Sequence, residues 1–188
     1  MKRYSARQLA AFLRALDEEL ESPLDVILIG GAAAALAYQA TRTTLDIDTW
    51  NSPFDDLSEA IQQAREQTGL TVPVEHAGVA DAPDHFEERL QSVELPGVTK
   101  LRLRVPDKHD LVLMKMIRGY ENDLQVAREI HDRHGLDLDV LLEHYLEEMT
   151  HVVADPGTLD LNLLALVERL FGEPGVALAE KRLRRRLE

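Results

Sequence analysis

The segment Thr44–Trp50, TLDIDTW, carries two aspartates that alternate with apolar residues. Because successive side chains of a strand point to opposite faces, the carboxylates of Asp46 and Asp48 would project from the same side. Two like charges at this spacing need a cation, an arginine or protonation in order to coexist. Hard divalent cations prefer oxygen ligands, and Mg²⁺ keeps coordination positions for substrate phosphates. The pair therefore predicts a site for Mg²⁺ or Mn²⁺.

A glycine pair, Gly30 and Gly31, lies between the apolar run DVILI and the alanine-rich stretch AAAALAYQA. This order predicts a buried strand, a turn and a helix. The first N–H groups of such a helix attract a phosphate, and glycine lets the backbone approach the anion closely. A phosphate site next to a metal site predicts in-line displacement at a nucleoside triphosphate, with the metal neutralising the phosphates.

The first half of the chain contains the elements that position these residues. Apolar residues at helical spacing predict a helix over residues 5–20, and a second helix ends at Gly69. Strands are predicted at DVILIG, TLDIDTW and LTVPVEHAGV, and a hairpin is predicted around Pro96 and Gly97. The alternation of helix and strand favours an α+β fold with a mixed sheet flanked by helices.

From Pro106 onward the pattern is helical, which predicts a C-terminal helical bundle. Glycine and proline divide this half into four helices, predicted at 107–134 with a break near Gly119, 137–149, 158–171 and 176–188. We therefore expect an α+β core at 1–105 and a helical region at 106–188 packed on it.

Composition limits the class of protein. The chain has 188 residues, no cysteine and a formal net charge of −13. The absence of cysteine excludes disulfides and thiolate chemistry. The negative charge argues against a protein that coats nucleic acid, and no DNA-binding motif is present. The apolar runs are too short for a membrane span and the N-terminus does not read as a signal peptide, so we expect a cytoplasmic protein.

The sequence GGAAAALAYQATRTTLDIDTW resembles the signature of the nucleotidyltransferase superfamily, an apolar strand, a glycine pair, a helix and Asp-x-Asp. Within it, the sequence is most similar to bacterial nucleotidyltransferase-like proteins related to the abortive-infection toxins of type IV toxin–antitoxin systems, in which Arg-Thr-Thr also precedes Asp-x-Asp. The resemblance implies a nucleotidyltransferase-like fold. It also implies that Arg42, Thr43 and Thr44 lie near the nucleotide phosphates.

A second block, DLVLMKMIRGYENDLQVAREI, resembles the same family more loosely. There the resemblance implies that Lys115 faces the nucleotide, and that Arg118 and Asp123 belong to the nucleotide site. It also implies a third carboxylate on a further strand, for which Glu75 is the first candidate and Asp81 the second.

The resemblance implies transfer of a nucleoside monophosphate from an NTP to a hydroxyl of tRNA or protein, with a cognate antitoxin or toxin as a possible partner. The alternative is a catalytically impaired module that binds a nucleotide or a protein. Ala32 favours the alternative, because many active members have a hydroxyl residue there.

The predicted strand that ends at Val105 carries a basic face. Lys100, Arg102 and Arg104 alternate along it with apolar residues. Such a face is usually solvated. If it joins the carboxylate face of the same sheet, it would instead receive the triphosphate or an RNA acceptor.

Overall fold

The computed structural model describes residues 2–51, 57–77, 81–152 and 155–186. The chain divides into two compact units, and each unit is built from two separate segments. Unit 1 comprises Met1–Ala80 and Leu90–Pro106, and unit 2 comprises Asp81–Arg89 and Asp107–Glu188.

Unit 1 combines helices with short strands. Its helices are α1 (Ala6–Glu19), α2 (Gly30–Ala37) and α3 (Ser58–Thr68). Its strands are β1 (Leu24–Ile27), β2 (Ile47–Thr49), β3 (Val74–His76), β4 (Gln91–Ser92) and β5 (Leu101–Val105). This content confirms the predicted α+β class.

The first helix shows how local sequence sets an element of unit 1. Ser5 accepts a hydrogen bond from the N–H of Gln8, and the Gln8 side chain accepts one from the N–H of Ser5, which forms a capping box at the start of α1. Apolar residues at spacings of three and four are buried along one face of the helix, namely Leu9, Phe12, Leu13 and Leu16. The helix predicted over residues 5–20 is therefore confirmed.

The strands of unit 1 form two small sheets, one with the order β1-β5-β4 and one in which β2 lies beside β3. β1 pairs with β5 in parallel, β4 pairs with β5 antiparallel, and β2 pairs with β3 in parallel. An isolated antiparallel bridge between Leu28 and Thr49 joins β2 to the end of β1. The predicted hairpin is confirmed by the β4–β5 pair.

Strand alternation, register and the Leu28–Thr49 bridge divide these side chains between two faces. One face is buried and mostly apolar, with Val26, Leu28, Ile47, Thr49, Leu101 and Leu103. The opposite face, called the outer face below, carries the charged residues Asp25, Asp48, Glu75, Arg102 and Arg104 together with the buried Ile27. The basic residues of β5 and the carboxylate of β2 therefore share one face.

Unit 2 is helical in its described residues. It contains a short 3-10 helix (Phe86–Arg89), α4 (Lys108–Met116), α5 (Glu121–His134), α6 (Leu138–Glu148) and α7 (Pro156–Arg186). The break predicted near Gly119 separates α4 from α5 and is confirmed.

The last predicted boundary is displaced by a few residues. We expected two helices, at 158–171 and 176–188, and α7 is divided by a kink at Gly172, whose φ of 69° is not helical, so the second helical segment already includes Pro174 and Gly175. Proline fits the first turn of the segment that follows the kink, where its missing N–H costs no hydrogen bond. Glycine at the kink accepts the left-handed conformation. No helix in the described ranges meets the length and apolarity that a membrane span requires.

Candidate functional site

The glycine pair of α2 lies directly against a predicted metal ligand. Gly30 has φ of +63°, a conformation that other residues rarely adopt, and a Cβ built on it would lie 2.8 Å from Oδ2 of Asp48. The N–H of Ile29 also donates to the backbone oxygen of Asp48 at 3.0 Å. The start of α2 and the Asp48 carboxylate are therefore adjacent in space, although 18 positions separate them in the sequence.

Gly31 makes the equivalent contact with the segment before β2. A Cβ on Gly31 would clash with Oγ1 of Thr44, so a side chain here would displace the threonine. The Thr44 hydroxyl donates to Oδ1 of Asp46 at 3.2 Å. Gly31, Thr44 and Asp46 thus form a continuous chain of contacts beside the one made by Gly30 and Asp48.

The two aspartates occupy different backbone environments. Asp48 lies within β2, whereas Asp46 lies in a bend that precedes the strand, so the regular strand is shorter than predicted. Both are half-buried. Their carboxylate oxygens are the ligand type that Mg²⁺ and Mn²⁺ prefer, and the missing side chain of Gly30 lets the Asp48 carboxylate lie directly against the start of α2. The residues present therefore fit a divalent cation shared with a phosphate.

The candidate third carboxylates lie in different units. Glu75 is in β3, in register with Asp48, and parallel pairing puts both side chains on the outer face, where Glu75 is exposed. Asp81 belongs to unit 2. Across the residues that the structure describes, no group of three or more His, Asp or Glu side chains is placed to hold a metal ion.

The Arg42–Thr44 segment is held by the N-terminal residues of the chain. Arg3 donates to the hydroxyl of Thr43 at 3.0 Å and to its backbone oxygen at 2.6 Å. Tyr4 and Thr44 exchange backbone hydrogen bonds of 2.7 and 3.0 Å. Sequence reasoning missed Arg3 and Tyr4, because pairing across 40 residues leaves no local pattern.

Two features beside the aspartates favour an anion. Arg42 is half-buried, and within the described part of the chain it makes no hydrogen bond or ion pair. The first turn of α2 has no side-chain cap, since its N-cap residue is Ile29. An arginine available for pairing and uncapped N–H groups at a helix start both suit a phosphate.

The second predicted block forms a cluster in unit 2. Nζ of Lys115 lies 3.2 Å from Oδ1 of Asp123, and Nη2 of Arg118 lies 2.9 Å from the same oxygen. Lys115 and Asp123 are buried, with 5% and 6% exposure, whereas Arg118 reaches solvent. The structure therefore brings these three residues together, and the ion pair with Asp123 compensates the buried ammonium.

Unit 2 contains a second ionic cluster that sequence reasoning missed. Nε and Nη2 of Arg89 donate to both oxygens of Asp110 at 3.0 and 2.9 Å, and the same guanidinium donates to Glu148 at 3.0 and 2.7 Å. His144 donates to Asp110 through Nδ1 at 2.9 Å. The hydrogen bonds with Asp110 raise the pKa of Arg89 above its ordinary value, despite the opposing effect of burial.

Comparison with known proteins gives one match. The sequence model of a family described as "Nucleotidyltransferase of unknown function (DUF6036)" matches residues 7–165. This range contains the glycine pair, both aspartates and the Lys115 cluster. A search of curated proteins and a search of solved structures gave no match.

Proposed function

We propose a specific reaction for this chain, which belongs to the family of nucleotidyltransferases of unknown function that matches most of its length. The proposed reaction moves a nucleoside monophosphate from an NTP to a hydroxyl acceptor. The observation that carries the proposal is the contact between Gly30 and the Asp48 carboxylate, because it joins a phosphate-binding turn to a metal ligand.

Asp46 and Asp48 would hold Mg²⁺ or Mn²⁺, which when bound neutralises triphosphate charge and favours ionisation of the attacking hydroxyl. The N–H groups at Gly30 and Gly31 would donate to phosphate oxygens, and the positive end of α2 would add to this attraction. Arg42 would pair with the phosphates as a fixed cation. Thr43 and Thr44 would keep this segment beside the glycines.

The reaction balances without a further reactant. The acceptor oxygen forms a bond to the α-phosphorus, the bond from that phosphorus to the bridging oxygen of the β-phosphate breaks, and pyrophosphate leaves. The acceptor proton passes to a carboxylate of the outer face or to water. Glu75, exposed and in register with Asp48, is our candidate for the third carboxylate, with Asp81 as the second.

The Lys115 cluster gives the proposal its second part. Asp123 would position the ammonium of Lys115 and the guanidinium of Arg118, the two cations that the resemblance assigns to the nucleotide. A tRNA or a protein would supply the acceptor hydroxyl, in the cytoplasm, with a cognate antitoxin or toxin as partner. These assignments come from the resemblance to the abortive-infection nucleotidyltransferases.

Label transfer tests the reaction. The protein is incubated with Mg²⁺, each labelled NTP in turn, and cell RNA or cell protein. We expect transfer to fall by at least about 100-fold in Asp48→Asn and in Asp46→Asn, because both remove a metal ligand. Glu59→Gln, an exposed carboxylate on α3, is the matched control and should transfer normally. Undiminished labelling by Asp48→Asn would exclude this mechanism.

The same assay assigns the third carboxylate. Glu75→Gln should reduce transfer if Glu75 completes the site. Unchanged transfer in Glu75→Gln combined with loss in Asp81→Asn would assign that role to Asp81 instead.

The second candidate function is nucleotide binding without transfer. It is favoured by the buried Ala32 after the glycine pair and by the lack of a three-carboxylate group among the described residues. Thermal unfolding with NTP and Mg²⁺ distinguishes both functions, nucleotidyl transfer and nucleotide binding alone, from a protein that does not bind nucleotides. A ligand at 100 times its Kd stabilises the native state by about 2.7 kcal/mol. Stabilisation without label transfer would support the binding module.

A further inference from the structure

The outer face carries a pair of arginines that the proposed reaction does not use. Arg102 and Arg104 lie on β5, and Asp25 lies on β1 opposite Arg102. Nη2 of Arg102 is 3.2 Å from the Asp25 carboxylate, and Nη2 of Arg104 is 3.8 Å from it. The side chains of both arginines are substantially exposed, at 60% and 41%. One carboxylate thus partly neutralises two guanidinium groups.

A cleft of about 420 Å³ runs beside these arginines. Its walls are β5 and the segment 92–99, which leaves the sheet after β4, passes through the turn at Gly97 and returns to β5. Arg102 and Arg104 line it together with the carboxylates Asp25 and Glu94 and the hydroxyl residues Ser92 and Thr99. The cleft therefore offers guanidinium and hydroxyl donors to phosphate oxygens, beside two carboxylates that oppose an anion.

Arg104 has unused hydrogen-bonding capacity. Its Nε is buried and has no hydrogen-bond partner among the residues that the structure describes. Its ion pair with Asp25 is long, whereas Arg89 in unit 2 forms bonds to two carboxylates at 3.0 Å or less. A buried donor without an acceptor is unfavourable. Rotation of the guanidinium toward an acceptor in the cleft would satisfy it.

We propose that this cleft is a phosphate-binding site in which Arg102 and Arg104 hold the anion and the Ser92 hydroxyl donates a further hydrogen bond. The site is separate from the proposed metal site. Arg104 lies in the β1-β5-β4 sheet, whereas Asp48 lies in the β2-β3 sheet. Phosphate binding here does not require nucleotidyl transfer to occur.

The net negative charge of the protein means that only the cleft itself can attract a phosphate. The chain carries a formal net charge of −13, which repels polyanions, so attraction must come from the two arginines of the cleft. Asp25 competes with a phosphate for the same guanidinium groups. Removing the Asp25 charge should therefore tighten phosphate binding, an effect that a purely structural role of the arginines would not produce.

The test measures binding to the full chain without Mg²⁺, with inorganic phosphate in one arm and a fluorescent single-stranded oligonucleotide in the other, over a series of salt concentrations. We expect about tenfold weaker binding for Arg102→Gln/Arg104→Gln and tighter binding for Asp25→Asn. For the oligonucleotide, loss of two phosphate contacts makes the negative slope of log K against log salt less steep by about 1.4. Arg185→Gln, an exposed arginine of α7, is the matched charge control and should bind normally.

The arms also identify the source of the phosphate. Arginine-dependent binding of inorganic phosphate assigns the cleft to small phosphate compounds, and arginine-dependent binding of the oligonucleotide alone assigns it to a phosphodiester chain. Arg104→Lys keeps the charge without the planar fork and should bind more weakly than the native chain. Binding that is absent in both arms, or equal in native and double-variant protein, would overturn the proposal. If the double variant does not fold, unchanged or weaker binding in Asp25→Asn overturns it.

Discussion

Asp110 in unit 2 and Asp46 in unit 1 are both aspartates held by other side chains, but their surroundings differ. Asp110 is completely buried and receives hydrogen bonds from the Arg89 guanidinium and from His144. Asp46 is half-buried and accepts a hydrogen bond from the neutral hydroxyl of Thr44. The charge of Asp110 is compensated within the protein, whereas Asp46 retains negative charge that a cation can share. Asp110 therefore connects elements of unit 2, whereas Asp46 suits a ligand-binding role.

The largest effect should come from removing the compensated carboxylate. Asp110→Ala leaves the Arg89 guanidinium without two hydrogen bonds, and we expect a loss of about 3–5 kcal/mol in the free energy of unfolding. Urea denaturation measures it. Asp132→Ala is the control, because Asp132 forms an exposed i,i+4 pair with Arg128 and should cost less than about 1 kcal/mol. Equal losses in the two variants would show that burial does not distinguish these carboxylates.

Asp17 shows that unit 1 also uses a compensated carboxylate, away from the outer face. Burial raises the pKa of Asp17, but the backbone N–H groups of Leu101, Thr99 and Lys100 donate to it and hold its pKa below the ordinary 3.8. We expect Asp17→Asn to lower the free energy of unfolding by about 2–3 kcal/mol near neutral pH, since an amide cannot accept all of these bonds equally.

The pH dependence of this loss follows from the direction of the shift. A carboxyl with a lowered folded-state pKa stabilises the protein above its unfolded-state pKa of about 3.8, and the stabilisation disappears as the pH falls through the folded-state value. The difference between native and Asp17→Asn proteins should therefore be constant from pH 7 to about 5 and shrink below 4. A difference that grows on acidification would contradict the assignment.

A smaller effect is expected at the glycine that faces Thr44. Gly31→Ala forces the methyl group into the Thr44 side chain, and we expect a loss of about 1–3 kcal/mol in stability together with weaker nucleotide binding. Gly157→Ala is the control, because its Cβ would lie 3.3 Å from the nearest side-chain atom and should change stability little. Thermal unfolding with and without NTP measures both. Unaltered nucleotide binding in Gly31→Ala would separate this turn from the phosphate site.

The smallest effect on stability should be that of the ligand-binding carboxylate itself. Asp46→Asn keeps an oxygen that can accept from Thr44, so we expect stability within about 0.5 kcal/mol of the native protein. The same variant should lose label transfer. A loss of stability comparable to that of Asp110→Ala would place Asp46 among the structural carboxylates and end the distinction between the two units.

Local patterns predicted much of the fold and the centre of the site. The helix predicted over residues 5–20, the glycine pair at the start of α2 and the hairpin at Gly97 are encoded within a few residues, and the structure has each of them. Alternation also suggested that Asp46 and Asp48 share a side. It did not show that Asp46 lies in a bend. Thr44, two residues before Asp46, pairs with Tyr4, and Tyr4 lies far outside this segment of the sequence.

Interactions between distant residues were not predictable in this way. Arg89 lies 21 positions from Asp110 and 59 from Glu148, and Asp17 lies 82 positions from Thr99. Each side chain alone is typical of a solvated helix or loop. Only the tertiary fold brings the groups together, so a single sequence carries no periodic signal for them. The prediction that Lys115 and Asp123 belong together came from family resemblance.

The separate segments of each unit have a consequence for synthesis on the ribosome. β1 pairs with β5, which is translated only after α2, α3 and the Asp81–Arg89 segment of the other unit. Until β5 emerges, the apolar β1 has no parallel neighbour in the nascent chain, and an unpaired apolar strand invites aggregation. Arg89 likewise cannot form its ion pairs until Asp110 and Glu148 have been translated. A fragment that ends before Leu90 would lack β5 and would leave β1 permanently without its parallel neighbour. The stability of either unit must therefore be measured in the intact polypeptide.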